Sequence, residues 1–337
     1  MIELICEWGP PRGLATTLEQ VMATADICAT HAKWQALTPE RLASKDAHRY
    51  WAEDLGGDKS QLEMLRAGHH PLSIAEWREV FAHCREYAIV PTITPFDLGA
   101  VKCMEAAGVG TYKIASGDIT YRALYKAIAA THKPVYFSTG AASQTEMTRA
   151  RDWLGCNRGD VIAMVCDLVY PCDLEDAAPE GGLWEANQVT DRVGYSDHTT
   201  SLITGAVAVV AGATTLEKHV TLDPHGDTPD DRMALTVEQA RQYLTQAIQA
   251  RMLGNEPIGD PQMTARIGAR RSAYAARDLP TSTVLRDDDI EWLRPAPLDR
   301  IPPTINLTGQ QIVDAVKRGE AVTYENLVPG SPPAPYN

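Results

Sequence analysis

The chain has 337 residues, 44% hydrophobic and 22% charged, a balance that at this length buries roughly three quarters of the unfolded surface and excludes both a disordered chain and a stapled miniprotein. Its 31 basic residues face 44 acidic ones, a formal charge of −13 at pH 7, which repels nucleic acid phosphates and anionic lipid, and no local basic patch offsets it. Seven cysteines, at 6, 28, 84, 103, 156, 166 and 172, form no CxxC pair, the usage expected of reduced thiols in a cytoplasmic protein.

The first residues place Glu3 inside what would be an apolar signal core, and no apolar run reaches about 18 residues, so neither a secretion signal nor a membrane span is expected. From residue 1 to 254, short apolar runs at 2–6, 29–34, 89–94, 111–115, 134–138, 161–166, 192–196 and 214–219 alternate with longer amphipathic stretches. That is the rhythm of βα units, and eight of them close a (β/α)8 TIM barrel. Helices are predicted from Ala75 to Tyr87, Tyr121 to Thr131, Ser143 to Leu154 and Val237 to Met252, the last capped by Thr236. Residues 36–73 form a loop about twice the usual length, a device that covers a site or an interface.

Past Gly254 the Pro, Gly and Asn content predicts a linker over 255–269, then a small β-rich domain over 270–331 and a tail over 332–337. Inside the small domain, Thr283 to Ile290 and Glu320 to Leu327 resemble each other, which predicts pseudo-symmetry.

Catalytic groups of such a barrel stand at the C-terminal ends of its strands. Those positions hold Glu7, then Lys33 and Gln35, Thr94, Lys113 with Ser116 and Asp118, and Ser138 with Thr139. Asp167 and Tyr170, Ser196 with Asp197 and His198, and His219 complete the ring. A single lysine there snorkels to solvent and a single serine caps a helix. As a set, two ammonium groups and several hydroxyls on one mouth suit a small dianion or trianion such as a phosphorylated carboxylate.

His198 and His219 end adjacent strands, so two imidazoles can share one divalent ion and leave positions for water and a substrate oxygen. That set is nearer to a Mn2+ site than to a closed structural zinc site, with Mg2+ or Co2+ as further options. The bland alternative for each histidine is a packed, hydrogen-bonded residue. His31, His48, His69, His70, His83, His132 and His225 are read as surface or loop residues, and Cys6, Cys166 and Cys172 as core. Asp118 is a candidate general acid or base, with Glu7 and His219 also placed in the catalytic set, and Glu7 and Asp230 are candidates for binding hydroxyls of a polyol. For the three carboxylates the alternative is a turn or cap residue.

Taken in order, Ile5-Cys6-Glu7, Lys33-Trp34-Gln35, Thr94-Pro95-Phe96, Tyr112 to Asp118, Ser138-Thr139-Gly140, Tyr170-Pro171, Gly194 to Thr199 and Glu217-Lys218-His219 resemble the sialic acid synthase (N-acetylneuraminate synthase) family. Arg271 to Leu327 resembles the antifreeze-like (SAF) domain that follows the barrel in such synthases. The resemblance implies a transferase that condenses phosphoenolpyruvate with an open-chain aldose, releasing phosphate and a 2-keto-3-deoxy sugar acid. By the same resemblance Lys33 and Ser196 would hold the phosphoenolpyruvate carboxylate, and Lys113, Thr94, Ser116 and Ser138 its phosphate. His198 and His219 would hold the metal, and Glu7, Gln35, Tyr170 and Asp230 the acceptor. It also implies a domain-swapped homodimer in which Arg294 of one subunit reaches the acceptor bound by its partner.

Departures cluster on the acceptor side. The family's Asn-His-x-Gly turn reads Gly9-Pro10-Pro11-Arg12-Gly13, and the glutamate after Gly117 is Asp118, whose carboxylate is set back by roughly an ångström. An expected asparagine is Leu168, and the glycine-rich turn after Arg294-Pro295 is Ala296-Pro297-Leu298-Asp299. The residues matched to phosphoenolpyruvate and metal are kept better than those matched to the acceptor, which leaves open an acceptor other than N-acetylmannosamine. Two alternatives stand beside it: a metal-dependent pyruvate aldolase or lyase, and a catalytically inactive sugar-acid binding protein.

Overall fold

The computed structural model describes residues 2–49, 59–155, 161–226, 228, 230–253 and 260–328. The chain divides into two compact units, Met1–Gly254 and Asn255–Asn337.

In the first unit eight strands run parallel in chain order: β1 Glu3–Glu7, β2 His31–Ala36, β3 Val90–Pro95, β4 Thr111–Ile114, β5 Val135–Ser138, β6 Val161–Val165, β7 Arg192–Asp197 and β8 Thr215–Thr221. β8 pairs back onto β1, with Glu3 opposite Thr215 and Glu7 opposite His219, so the sheet closes into the (β/α)8 barrel that the apolar rhythm predicts. A two-residue strand, β9 at Leu235–Thr236, extends β8. The helices are α1 Leu14–Ile27, α2 Pro39–Leu42, α3 Gln61–Ala67, α4 Ile74–Glu86, α5 Leu98–Ala107, α6 Arg122–Ala129, α7 Gln144–Leu154, α8 Pro179–Asn187, α9 Thr204–Val210 and α10 Val237–Leu253. Two of them, α2 and α3, lie in the long β2–α4 connection.

Local sequence sets the helix starts. Ser60 with Glu63, Ser73 with Glu76 and Ser143 with Glu146 form reciprocal capping boxes, and Thr236 exchanges the same bonds with Gln239. Each satisfies two amide donors that a helix start leaves orphaned. Between sheet and helices the core buries Trp34, Phe81, Tyr112, Tyr125 and Phe137 completely. The Trp34 indole donates to Gln20 Oε1 at 2.7 Å, which satisfies its one polar atom.

The barrel interior is layered. Ile5, Tyr136, Ile162 and Met164 make an apolar plug. Glu3 belongs to a polar group at the strand N-terminal end, accepting from Thr215 at 2.7 Å and Arg192 at 3.0 Å. Side chains alternate across a strand, so Glu7, two residues beyond Ile5, faces the same interior at the opposite end. No helix among the described residues is long and apolar enough to cross a membrane.

The second unit begins with α11 Asp260–Ala269, which corrects the expected linker over 255–269. Pro261 falls in the first turn, where a missing amide costs nothing, so it does not break the helix. Residues 255–259 of that stretch and the tail 332–337 lie outside the described residues. The unit has its own core of Ala273, Ala275, Leu279, Leu285, Ile301, Leu307, Ile312, Val316, Val322 and Leu327. Its regular β structure is one antiparallel pair, β10 Ser272–Ala275 with β11 Ile290–Leu293, supplemented by single bridges. Both halves of the weak internal repeat contain a 3₁₀ turn, Asp287–Asp289 and Tyr324–Asn326. Each turn has its third residue's side chain accepting from the amide before it, Asp289 from Arg286 and Asn326 from Thr323, both at 2.9 Å.

Candidate active site at the strand C-termini

The C-terminal ends of the barrel strands enclose a cavity of about 800 Å3. Glu7, Lys33, Gln35, Thr94, Lys113, Ser116, Asp118, Ser138, Tyr170, His198, His219 and Asp230 all line it. The alternation of strand side chains brings Lys33 and Gln35 from β2, Lys113 from β4 and His219 from β8 to the same space.

The two lysines meet on a carboxylate that the sequence reading quoted only within a motif, Glu217. Lys113 Nζ donates to Glu217 Oε1 at 2.6 Å and to Ser196 Oγ at 3.2 Å. Lys33 Nζ lies 3.7 Å from that same oxygen, donates to Thr94 Oγ1 at 3.0 Å and pairs with Glu7. Glu7 Oε1 accepts from Gln35 at 3.0 Å and from the Gly9 amide at 3.2 Å. Burial works to raise the Glu217 carboxyl, but Lys113 and Lys33 outweigh it and hold the group well below the usual carboxylate range. Burial likewise opposes the charge on Lys33, and Glu217 and Glu7 overcome it. The two cations expected at the strand ends thus meet their counter-charges, Glu217 and Glu7, inside the barrel.

Two other carboxyls lining the cavity are pushed upward. Burial moves Asp118 to about 6. Burial, then the neighbouring Glu7 and Asp231, moves Asp230 to about 7. Gly9 has a φ of 70°, and a Cβ there would stand 2.7 Å from Asp230 Oδ2; only glycine lets the β1 end and Asp230 approach so closely. Buried polar atoms in proteins almost always have a partner. Among the described residues Asp118 Oδ2, Ser138 Oγ and Glu217 Oε2 have none, and all three belong to residues lining the cavity.

His198 and His219 face each other with ring centroids 6.0 Å apart, and Tyr170 lies over His198 at 4.2 Å. His198 Nδ1 donates to the Asp167 carbonyl at 2.7 Å, which leaves Nε2 as the lone-pair nitrogen. Burial, reinforced by His219 for one and Lys33 for the other, pushes both imidazoles down to about 3. Both therefore offer a neutral donor nitrogen at physiological pH. The two facing, neutral imidazoles are donors of the kind a divalent ion takes; no group of three or more His, Cys, Asp or Glu among the described residues could hold a metal ion. Substrate and water would have to supply the remaining ligands.

Other predicted positions fall around this centre. Ser196 bridges Lys113 and Glu217, donating to the latter at 3.3 Å. Thr139 turns back to the Met164 carbonyl, and Asp197 is buried. Cys166 lines the cavity with Sγ 3.2 Å from Ser116 Oγ, and burial raises its thiol pKa, which disfavours the thiolate. Leu168 adds an apolar patch to the wall. Arg294 is exposed just past β11 in the second unit.

The long β2–α4 connection covers the cavity as its length predicts, but its individual lining residues, and Arg12, carry no sequence signal of their own. Leu37, Leu42, Gln61, Met64, Leu65, His69 and His70 of the β2–α4 connection line the cavity, as does Arg12. His69 and His70 were expected to be surface or loop residues without a site; they are loop residues of the cavity wall. Arg12 donates to Thr228 Oγ1 at 2.9 Å and pairs with Asp231 at 3.1 Å, and its backbone bridges to His70. The length of the connection was the available signal.

A family model described as NeuB family matches residues 20–256, and one described as SAF domain matches residues 270–328. An uncharacterised protein of Methanocaldococcus jannaschii is 32% identical over 252 residues, 73% of this chain and 74% of that one. The N,N'-diacetyllegionaminic acid synthase of Campylobacter jejuni is 28% identical over 280 residues, 81% of this chain and 83% of that one. The structure of a Chromobacterium violaceum protein, provisionally described as spore coat polysaccharide biosynthesis protein E, matches with a TM-score of 0.75 at 21% identity, covering 98% of this chain and 100% of that one. This last is a likeness of fold.

Proposed function

The chain belongs to the NeuB family, and from that premise we propose that it condenses phosphoenolpyruvate with the open-chain form of an aldose. C3 of the enolpyruvate bonds to the aldehyde carbon, water adds at C2, and the C2–O bond breaks to release inorganic phosphate and a 2-keto-3-deoxy sugar acid. The observation that carries this reading is the meeting of Lys33 and Lys113 beside an unpartnered Ser138 hydroxyl and two neutral imidazoles in one cavity. Lys33 and Ser196 hold the carboxylate of phosphoenolpyruvate, and Lys113, Thr94, Ser116 and Ser138 its phosphate. Glu217 stands between the two ammonium groups, fixing their positions while their remaining donors stay available to the substrate oxyanions.

His198 and His219 would hold a divalent ion, Mn2+ in this reading, which would supply Lewis acidity toward the aldehyde oxygen. Asp118, raised toward neutrality by burial, is poised to exchange a proton with the water that adds at C2. Glu7, Gln35, Tyr170 and Asp230 position the acceptor. In a domain-swapped homodimer, Arg294 of the partner subunit completes its binding. The six described cysteines are unpaired, in keeping with a cytoplasmic setting.

The test is a phosphate-release screen with phosphoenolpyruvate, Mn2+ and a panel of amino-, deoxy- and simple aldoses. Release that requires both the ion and one of the aldoses is the expected outcome. Turnover of a keto-deoxy acid to pyruvate without phosphate would assign the aldolase chemistry instead, and sugar binding without any turnover the inactive one.

A further inference from the structure

On the outer side of the strands, directly behind the two histidines, lies a buried ionic network that the proposed chemistry does not use. Asp197 precedes His198 and Lys218 precedes His219, and β7 and β8 set Asp197 and Lys218 opposite each other in register. Alternation therefore turns this pair away from the cavity while the histidines face it. Lys218 Nζ and Asp197 Oδ1 are 3.1 Å apart, and neither side chain has any exposed surface. Asp197 Oδ1 also accepts from the Thr199 amide at 2.9 Å and its hydroxyl at 2.8 Å. Asp197 Oδ2 accepts from Thr204 Oγ1, at the start of α9, and from Tyr243 OH, on α10, at 2.9 Å. Lys218 in turn donates to the Thr199 carbonyl. Tyr243 reaches this place because Gly205 has no side chain; a Cβ there would stand 2.3 Å from the Tyr243 ring.

A charge pair this deep costs several kcal/mol of desolvation per ion, and removing one partner is far more damaging than replacing both. Here every lone pair of the carboxylate is used, and two strands, a loop and two helices converge on it. We propose that Asp197, Lys218 and Tyr243 are positioning residues that fix the separation and orientation of His198 and His219, acting through the strand ends rather than by touching an ion or substrate. The inference rests on the reading of those histidines as ion ligands.

The experiment is titration calorimetry of the full chain with Mn2+, alongside thermal unfolding of the metal-free protein. Tyr243→Phe removes one hydroxyl and keeps the ring, and Thr204→Val removes the second donor without changing the volume much. Each is expected to raise the Mn2+ dissociation constant by about tenfold, the size typical when a partner that orients a metal ligand is lost. An unchanged dissociation constant in both variants, whatever happens to their unfolding temperature, would overturn the proposal by reducing the network to scaffolding. The separate failure is distinguishable. If the unaltered chain binds no Mn2+, the ion-ligand reading falls and this one with it. If the unaltered chain binds, His219→Ala does not, and both Tyr243→Phe and Thr204→Val bind like the parent, only the positioning role is lost.

Discussion

At the scale of single residues, the account depends on which groups carry charge at neutral pH. His198→Ala or His219→Ala is expected to bring phosphate release down to that of a Mn2+-free control while circular dichroism stays unchanged, because each removes one of two nitrogen ligands. Asp118 makes a prediction with a sign. Its folded-state pKa, about 6, lies above the ordinary aspartate value, so the folded protein binds this proton more tightly than the unfolded chain does. The stability associated with it is full below pH 4 and declines as pH rises toward 6. Asp118→Asn should therefore stabilise the protein at pH 8 by about 1–3 kcal/mol, measured by denaturant unfolding, and should lower turnover at the same time. A variant less stable than the parent at pH 8 would contradict the assignment. The inward lysines and histidines were legible in the sequence from strand ends alone. Glu217 was legible too, since it lies two residues from His219 on the same strand face, yet its role as the shared counter-charge of Lys33 and Lys113 is a three-body contact that no local pattern encodes.

At the scale of elements, the strands fell within a few residues of their predicted places because short apolar runs, buried along all or most of their length in this barrel, are local signals. Helix starts were legible for the same reason. Ser143→Ala removes one half of a capping box on exposed α7 and should cost about 1 kcal/mol in thermal or chemical unfolding without changing turnover. The β2–α4 connection was legible as a long loop over a site or an interface, and it does line the cavity, but which of its residues do so was not legible. Its path over the cavity depends on long-range contacts such as the bridge between Arg12 and His70, which spacing does not reveal. Because His69 lines the cavity from the β2–α4 connection and not from a strand end, His69→Ala is expected to raise the KM for the sugar and leave the KM for phosphoenolpyruvate nearly unchanged. Equal effects on both would place this connection over the phosphate end instead. Helix α11 escaped prediction because Pro257, Gly259 and Pro261 were all counted as breakers, whereas a proline in a first turn is harmless.

At the scale of the whole molecule, the proposal requires two subunits, with Arg294 acting in the partner's site. Arg294→Ala and His219→Ala should each be impaired alone, yet a mixture refolded or exchanged together should regain turnover, because one mixed site would combine an intact barrel with an intact arginine. No recovery would confine each site to one chain. Oxygen labelling reports directly which bond of phosphoenolpyruvate breaks. Phosphoenolpyruvate carrying 18O in its bridging position, supplied with Mn2+ and a competent aldose, should yield phosphate that retains the label. Label left in the organic product, or no phosphate formed with any aldose, would contradict the account.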